Sequence, residues 1–266
     1  VTMAVMVSPI DLDASLARIG CAAPARPHLA ALKILHRAHV AAIPFENLDI
    51  QMGLPINLDL ASLQADLVRR RRGGYCFQQN GLLRHVLTAL GFEPRPCEGR
   101  VRLDAGETIR PRTHMVLLVP LDGQLWLTDV GFGANGLVEP VALGAEPVRQ
   151  DGWTYRTVPC GRGHVLQRAG RNAWEDLYVF WEDEVPQIDY VTGNWYTSTH
   201  PDSGFVPEAK HRIMRSLTRV RTDRYFSRPN TSPVASFSEV IPRSRSRGSW
   251  TRWLTGASSM RVIRPS

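Results

Sequence analysis

Cysteine is scarce in this chain. Four are spread over 266 residues, at Cys21, Cys76, Cys97 and Cys160, with no CxxC pair. That spacing suits neither a disulfide scaffold nor a zinc site. His36 and His39 are three apart on a helical pattern, but no neighbouring carboxylate or cysteine completes a ligand set. They read as core or surface residues, and no metal is expected. Also missing is any run of about 18 apolar residues, as is a basic, apolar and small-residue leader at the start. The expectation is a soluble, uncleaved protein in a reducing cytoplasm, without a membrane partner.

The body of the chain also lacks an excess of positive charge. The formal net charge is +7, yet residues 207–266 carry twelve Arg and one Lys against three acidic residues, so residues 1–206 sum to −3. A polyanion partner could therefore concern only the last sixty residues. Their RSRSR run has no regularly spaced aromatics for bases to stack on, so nucleic acid is not the expected partner. The 11 Ser among those arginines and the weak apolar periodicity mark a solvated segment.

What is present is enough apolar residue, 43% of the chain, to fill a sizeable core. The first ninety residues read as helices. Ser8 and Pro9 suit a helix start and Gly20 a stop; a second run from Leu29 to Ile43 ends at Pro44. Asp59 suits the cap of a third helix, and a fourth begins near Cys76 and stops at Gly91. From about residue 93 the period becomes two. THMVLLVP, Asp122-Gly123 and LWLTDVGF make a hairpin signal, followed by strand-like runs near 153–158, 163–168 and 174–182. The expected organisation is a helical bundle over 1–92, a β-barrel over 93–206 and an atypical Arg/Ser-rich segment over 207–266.

The stretch RRGGYCFQQN places Cys76 behind Gly73 and Gly74 and at the start of a helix. Unpaired amides and the positive end of the helix dipole would there stabilise the thiolate, the form that attacks. The glycines are expected to allow a sharp turn and to leave room beside the sulfur. A two-residue turn at Asp122 and Gly123 pairs Leu121 with Gln124. That register puts His114 opposite Gly131, on one face with Leu125, Leu127 and Asp129. Asp129 is polar where the alternation calls for an inward apolar residue, and His114 is an available partner. Cys76, His114 and Asp129 can thus act as nucleophile, base and orienter.

The string RGGYCFQQN closely resembles the active-site motif of the arylamine N-acetyltransferases. The likeness extends through IPFENLDI (43–50), RTHMVLLV (112–119), LTDVGFG (127–133) and NWYTSTHPDS (194–203), covering about residues 8–206 in order. It implies an α+β fold with a cysteine-protease-like core: a helical bundle, then an antiparallel β-barrel, then an α/β lid. In this chain the atypical C-terminal segment stands in place of that lid. Gln78 stands where many bacterial members have Glu. The family triad falls on Cys76, His114 and Asp129.

The resemblance further implies acetyl transfer from acetyl-CoA, a co-substrate and not a resident cofactor, to small aromatic amines, hydrazines or hydroxylamines through an acetyl-cysteine. It assigns no oligomeric state. Candidate oxyanion donors are the amide of Cys76 and one from the strand near Val101. Phe45, Thr113, Gly131, Phe132 and Gly133 are the candidate pocket residues, with plain core or turn roles as the other reading of each. Glu46 and Arg72 are expected to pair and hold the RGG turn, while Arg69 to Arg71 form a solvated face. A cysteine hydrolase using the same three residues, with water as acceptor, is the alternative.

Overall fold

A computed structural model describes residues 9–206; the readings of Ser8 and of the segment 207–266 lie outside the described residues. Helix α1 (Leu12–Ile19) is capped by Asp11, whose carboxylate accepts from Ala14 N at 3.0 Å, and closes at Gly20 with φ +70°. The start is therefore three residues later than Ser8 and Pro9 suggested. A carboxylate that reaches the third amide satisfies a helix end directly. Helix α2 (Leu29–Ala42) runs to the Ile43-Pro44 boundary, and a short α3 (Leu48–Gln51) follows. Asp59 caps α4 (Leu60–Leu63), which widens into a π-helical turn over Gln64–Arg69, with Arg70 N bonded to Ala65 O at 2.9 Å. Helix α5 spans Cys76–Ala89, so Cys76 is its first residue, and Gly91 turns the chain away with φ +83°.

Eight antiparallel strands form one sheet: β1 (Arg95–Val101), β2 (His114–Leu121), β3 (Gln124–Thr128), β4 (Val141–Ala142), β5 (Val148–Gln150), β6 (Trp153–Cys160), β7 (Gly163–Ala169) and β8 (Trp174–Phe180). Their order is β4-β3-β2-β1-β8-β7-β6-β5. The sheet curls until Thr157 of β6 accepts from Gly144 N at 2.9 Å and donates to Ala142 O at 3.3 Å, so a side chain links the two ends of a nearly closed barrel. Asp122 (φ +51°) and Gly123 (φ +77°) make the β2–β3 turn, and Leu121 pairs with Gln124 as expected. Both central residues of such a turn need positive φ, which Asp tolerates and Gly favours.

Strand β2 explains its own composition. Met115, Leu117 and Val119 pack into the helical core with Leu83 and Leu87 of α5, while Val116 and Leu118 pack inside the barrel with Tyr178 and Phe180. A strand buried on both faces loses the apolar–polar alternation and reads as a continuous apolar run. This shared wall carries the first residue of the strand, His114, to the rim next to α5. A further helix, α6 (Gln187–Thr199), had no signal in the sequence reading, because only Tyr190, Gly193, Asn194 and Thr197 are buried and two of those are polar. Tyr190, Phe205 and Val206 pack against the helical core, not the barrel.

Leu117 is fully buried at that shared wall. Leu117→Ala should lower the unfolding free energy by about 2–5 kcal/mol, read from urea denaturation. A loss below about 1 kcal/mol would show that the helices and the sheet do not depend on one core there.

Candidate active site

The hairpin register brings His114 and Asp129 together. His114 Nε2 lies 2.7 Å from Asp129 Oδ2, and both residues are buried, 3% and 1% exposed. The other carboxylate oxygen accepts from Asn80 Nδ2 at 2.8 Å and from Gly131 N at 2.8 Å. Burial by itself raises a carboxyl, but the facing imidazole, Asn80 and the Gly131 amide outweigh it and hold Asp129 below the ordinary carboxylate range. Burial likewise opposes charge on His114. The Asp129 carboxylate and the neighbouring Cys76 sulfur prevail, and His114 is raised to about 10. With Nε2 committed to the acid, Nδ1 is left for the sulfur.

Cys76 Sγ sits 3.6 Å from the Thr113 carbonyl and close enough to His114 to act on its titration as hydrogen-bond partner and as charge. The first main-chain bond of α5 runs from Gln79 N to Tyr75 O at 2.9 Å, so the amides of Cys76, Phe77 and Gln78 have no acceptor within the helix. Gln78 Oε1 accepts from Tyr75 N at 3.3 Å and steadies the entry.

Trp181 N, just past β8, donates to Glu98 O at 3.4 Å, so Glu98 and Arg100 turn their main-chain groups to the β8 side. Amides alternate between strand edges, so that of Val101 points to the β2 side, beyond the last β1–β2 pair, Gly99 with His114.

The glycines act by closeness, not by turning. Gly73 and Gly74 are absent from the positive-φ residues, so neither supplies the left-handed backbone by which glycine makes a sharp turn. A Cβ on Gly73 would lie 2.2 Å from Pro44 O, and one on Gly74 2.9 Å from Gln78 Oε1. The backbone has to pass that near because Phe45 and Gly74 form a parallel bridge, with Gly74 N on Pro44 O at 3.2 Å and Glu46 N on Gly74 O at 3.0 Å. Gly131 is confined in the same way, since its Cβ would meet Cys76 Cα at 2.6 Å. Only Gly133 of this group has positive φ, +82°, and its Cα faces the Phe45 ring.

The supporting turn is braced as expected. Arg72 Nε lies 3.0 Å from Glu46 Oε1, the same oxygen accepts from Gly73 N at 3.0 Å, and Asp49 takes the other arm of the guanidinium at 2.8 Å. Arg69, Arg70 and Arg71 are exposed. Phe132 packs edge-on to His114 at 5.2 Å between centroids. Phe45, Phe132 and Gly133 also line a cavity of about 10 Å³, room for one water at most. Thr113 contributes its carbonyl; its hydroxyl turns back to Pro111 O at 3.5 Å.

The sequence reading passed over Asn80, Gln79 and Tyr178. Asn80 lies one helical turn below Cys76 and also bonds Met115 O at 2.7 Å and Val130 N at 3.0 Å. Its signal was available: Gln78, Gln79 and Asn80 are three consecutive polar residues inside an apolar helix pattern, and all three are buried. Tyr178 gave none, since LYVF is an ordinary strand. Its ring lies 4.7 Å from that of His114, and burial together with the Asp129 charge raises its hydroxyl well above the usual range. Among the described residues no group of His, Cys, Asp or Glu could hold a metal ion, and no helix is long and apolar enough to cross a membrane.

Asp129→Asn removes the carboxylate that offsets burial at His114. The His114 pKa should then fall from about 10 towards the ordinary range, followed by NMR of the ring carbons and nitrogens. The same shift has a stability sign. Because the folded value is raised, the stabilisation is complete below the unfolded value of about 6.5 and is lost as pH rises towards 10. The wild type should lose stability across that window more steeply than Asp129→Asn.

Comparison with known proteins places this geometry. The N-acetyltransferase family model matches residues 28–224, so the family pattern continues past residue 206, where the sequence reading ended it. The arylamine N-acetyltransferase of Mycolicibacterium smegmatis is 44% identical over 203 residues, 74% of each chain. Among solved structures, the arylamine N-acetyltransferase from Salmonella typhimurium superposes with a TM-score of 0.71 at 38% identity, over 74% of this chain and 73% of that one. The Mycobacterium marinum arylamine N-acetyltransferase in complex with CoA gives 0.70 at 40% identity, over 74% of each chain. Sequence and fold each match over about three quarters of the chain, which belongs to the arylamine N-acetyltransferase family.

Proposed function

We propose that the protein transfers the acetyl group of acetyl-CoA to the nitrogen of arylamines, arylhydrazines or arylhydroxylamines in two half-reactions, with Cys76, His114 and Asp129 as the catalytic residues. The observation that carries this reading is the buried His114–Asp129 pair at 2.7 Å set beside a cysteine at a helix start. Family membership supports acetyl transfer to arylamines. The Mycobacterium marinum relative solved with CoA supports acetyl-CoA as the donor.

In the first half-reaction the Cys76 sulfur, paired with a protonated His114, attacks the acetyl carbonyl of the thioester. The carbon–sulfur bond to CoA breaks, and CoA leaves as a thiol with the proton from His114. The carbonyl oxygen carries the transient negative charge. The Cys76 amide, free at the head of α5, and the Val101 amide, turned to the β2 side, are its donors in this reading. In the second half-reaction the amine attacks the acetyl-cysteine, its proton passes to His114, and Cys76 leaves as the thiolate.

The electrostatics suit both directions of proton transfer. The sulfur is among the groups that raise His114, so acetylating it removes that contribution and makes the imidazole a weaker holder of its proton. His114 is thereby readied to give its proton to CoA, and afterwards neutral enough to take one from the amine. Phe45, Phe132 and Gly133 are assigned to the acceptor side as apolar surface for an aromatic ring, which would lie outside the one-water cavity they line. An amine that is uncharged near neutral pH can enter such a place without a desolvated cation. The division into a helical domain over 1–92, a barrel domain over 93–206 and the segment 207–266, and a cytoplasmic location, are part of the same proposal.

Intact mass spectrometry after mixing with acetyl-CoA should show one added acetyl group, located on Cys76 by peptide mapping and discharged by an arylamine. Cys76→Ala or Cys76→Ser should lower turnover by roughly 10³-fold or more. Normal turnover by Cys76→Ala sinks the assignment. Release of acetate at the same rate with and without amine would instead identify a hydrolase.

A further inference from the structure

His36 and His39 of α2 are 0% and 1% exposed, and neither touches the sulfur. Each spends its one donor on a different half of the site. Of the two backbone acceptors facing its ring, at Val138 and Asp129, only the Asp129 carbonyl, 3.1 Å from Nε2, meets hydrogen-bond geometry, which puts the proton of His36 on Nε2. Gln79 gives its amide nitrogen to the carbonyls of Pro44 (3.0 Å), Gly74 (3.1 Å) and Ile43 (3.4 Å). Its oxygen is thereby turned to His39, whose Nε2 must carry the hydrogen at 2.9 Å. Burial keeps both rings neutral, lowering His36 to about 4 and His39 to about 3.

His36 is an uncomfortable residue to bury. Its Nδ1 is turned to the backbone of Val138, near enough to raise the ring's pKa but outside hydrogen-bond geometry, a poor contact that an apolar side chain would avoid. What such a side chain could not supply is the donor to Asp129. That residue is the first beyond β3, and the loop after it is held largely by side chains: Asn80 takes Val130 N, and Asp129 itself takes Gly131 N. On the other side, the carbonyls gathered by Gln79 are that of Gly74 itself, two residues ahead of the sulfur, and those of Ile43 and Pro44 in the segment bridged to it.

We propose that His36 and His39 are positioning residues: α2 grips the loop of the acid through His36 and, through His39 and Gln79, the turn of the nucleophile, so one rigid helix sets the spacing of Cys76 and Asp129. The inference rests on the acyl-transfer reading of the site. His36 and His39 stand three apart and so share one face of α2, and a small misplacement at a reacting group is costly in rate.

The test compares His36→Gln with His36→Met, matched in length and differing in the donor, alongside His39→Met. Three quantities are read: the rate of Cys76 acetylation by acetyl-CoA, the rate of Cys76 alkylation by iodoacetamide, and the His114 titration by NMR. His36→Met should slow acetylation by roughly 10- to 100-fold and move the His114 titration to lower pH. His36→Gln should recover most of both, and His39→Met should slow acetylation while leaving the His114 titration closer to wild type. Equal rates and titrations in the Gln and Met variants at comparable urea midpoints would overturn the proposal, leaving His36 a packing residue. If neither variant folds, nitrogen NMR of the wild type decides: a His36 protonated on Nδ1 contradicts it, and one protonated on Nε2 supports it. Absence of an acetyl adduct in the wild type defeats the acyl-transfer reading instead, while the alkylation and titration results still bear on positioning.

Discussion

A carboxylate held out of water at Asp129 is the constraint around which the site is organised. Burial of that charge is expensive unless donors surround it, and removing one partner from such a buried pair costs about 3–5 kcal/mol. The surroundings answer with His114, Asn80 and the Gly131 amide on its two oxygens and His36 on its carbonyl. Each donor arrives from a different element: β2, α5, the loop after β3, and α2. The requirement of one acid thereby joins the helical half to the barrel. The same carboxylate keeps His114 charged against its own burial.

The second constraint is distance between backbones. Around Cys76 three glycines, Gly73, Gly74 and Gly131, sit where a Cβ would meet another group at 2.2 to 2.9 Å. They let the Pro44–Glu46 strand, the head of α5 and the loop after β3 press together at the level of the sulfur. Polar side chains then take up the main-chain groups that this crowding strips of water: Gln79 collects carbonyls on one side, and Asn80 serves both Met115 and Val130 on the other. Packing and polar satisfaction are here one arrangement, since an unpaired buried carbonyl would cost as much as a poor contact.

Much of this was legible in the chain. The helix start at Cys76, the two-residue turn and the placement of His114 and Asp129 on one face follow from local rules of capping, turn chemistry and pleat. The Glu46–Arg72 pair was also foreseen and is present at 3.0 Å. The close approach at Gly73 and Gly74 was not legible, because it depends on what lies opposite in space and not on the residue's own dihedrals. His36 and His39 gave no usable signal for a related reason. A histidine on an apolar helix face looks the same whether its ring is idle or bonded to a loop 93 residues away.

By itself the sequence determined the main helices and strands, the hairpin register and the pairing of His114 with Asp129 on one face, because those depend on neighbours within a few residues. Only the tertiary structure decided that α2 bonds the loop of Asp129 through His36 and reaches the turn ahead of Cys76 through His39 and Gln79, that Tyr178 and Phe132 pack on the imidazole, and that Gly73, Gly74 and Gly131 sit at close backbone contacts. These are pairings between residues far apart in the chain. Their geometry is set by how helices and sheet share the two faces of β2, which no local pattern encodes.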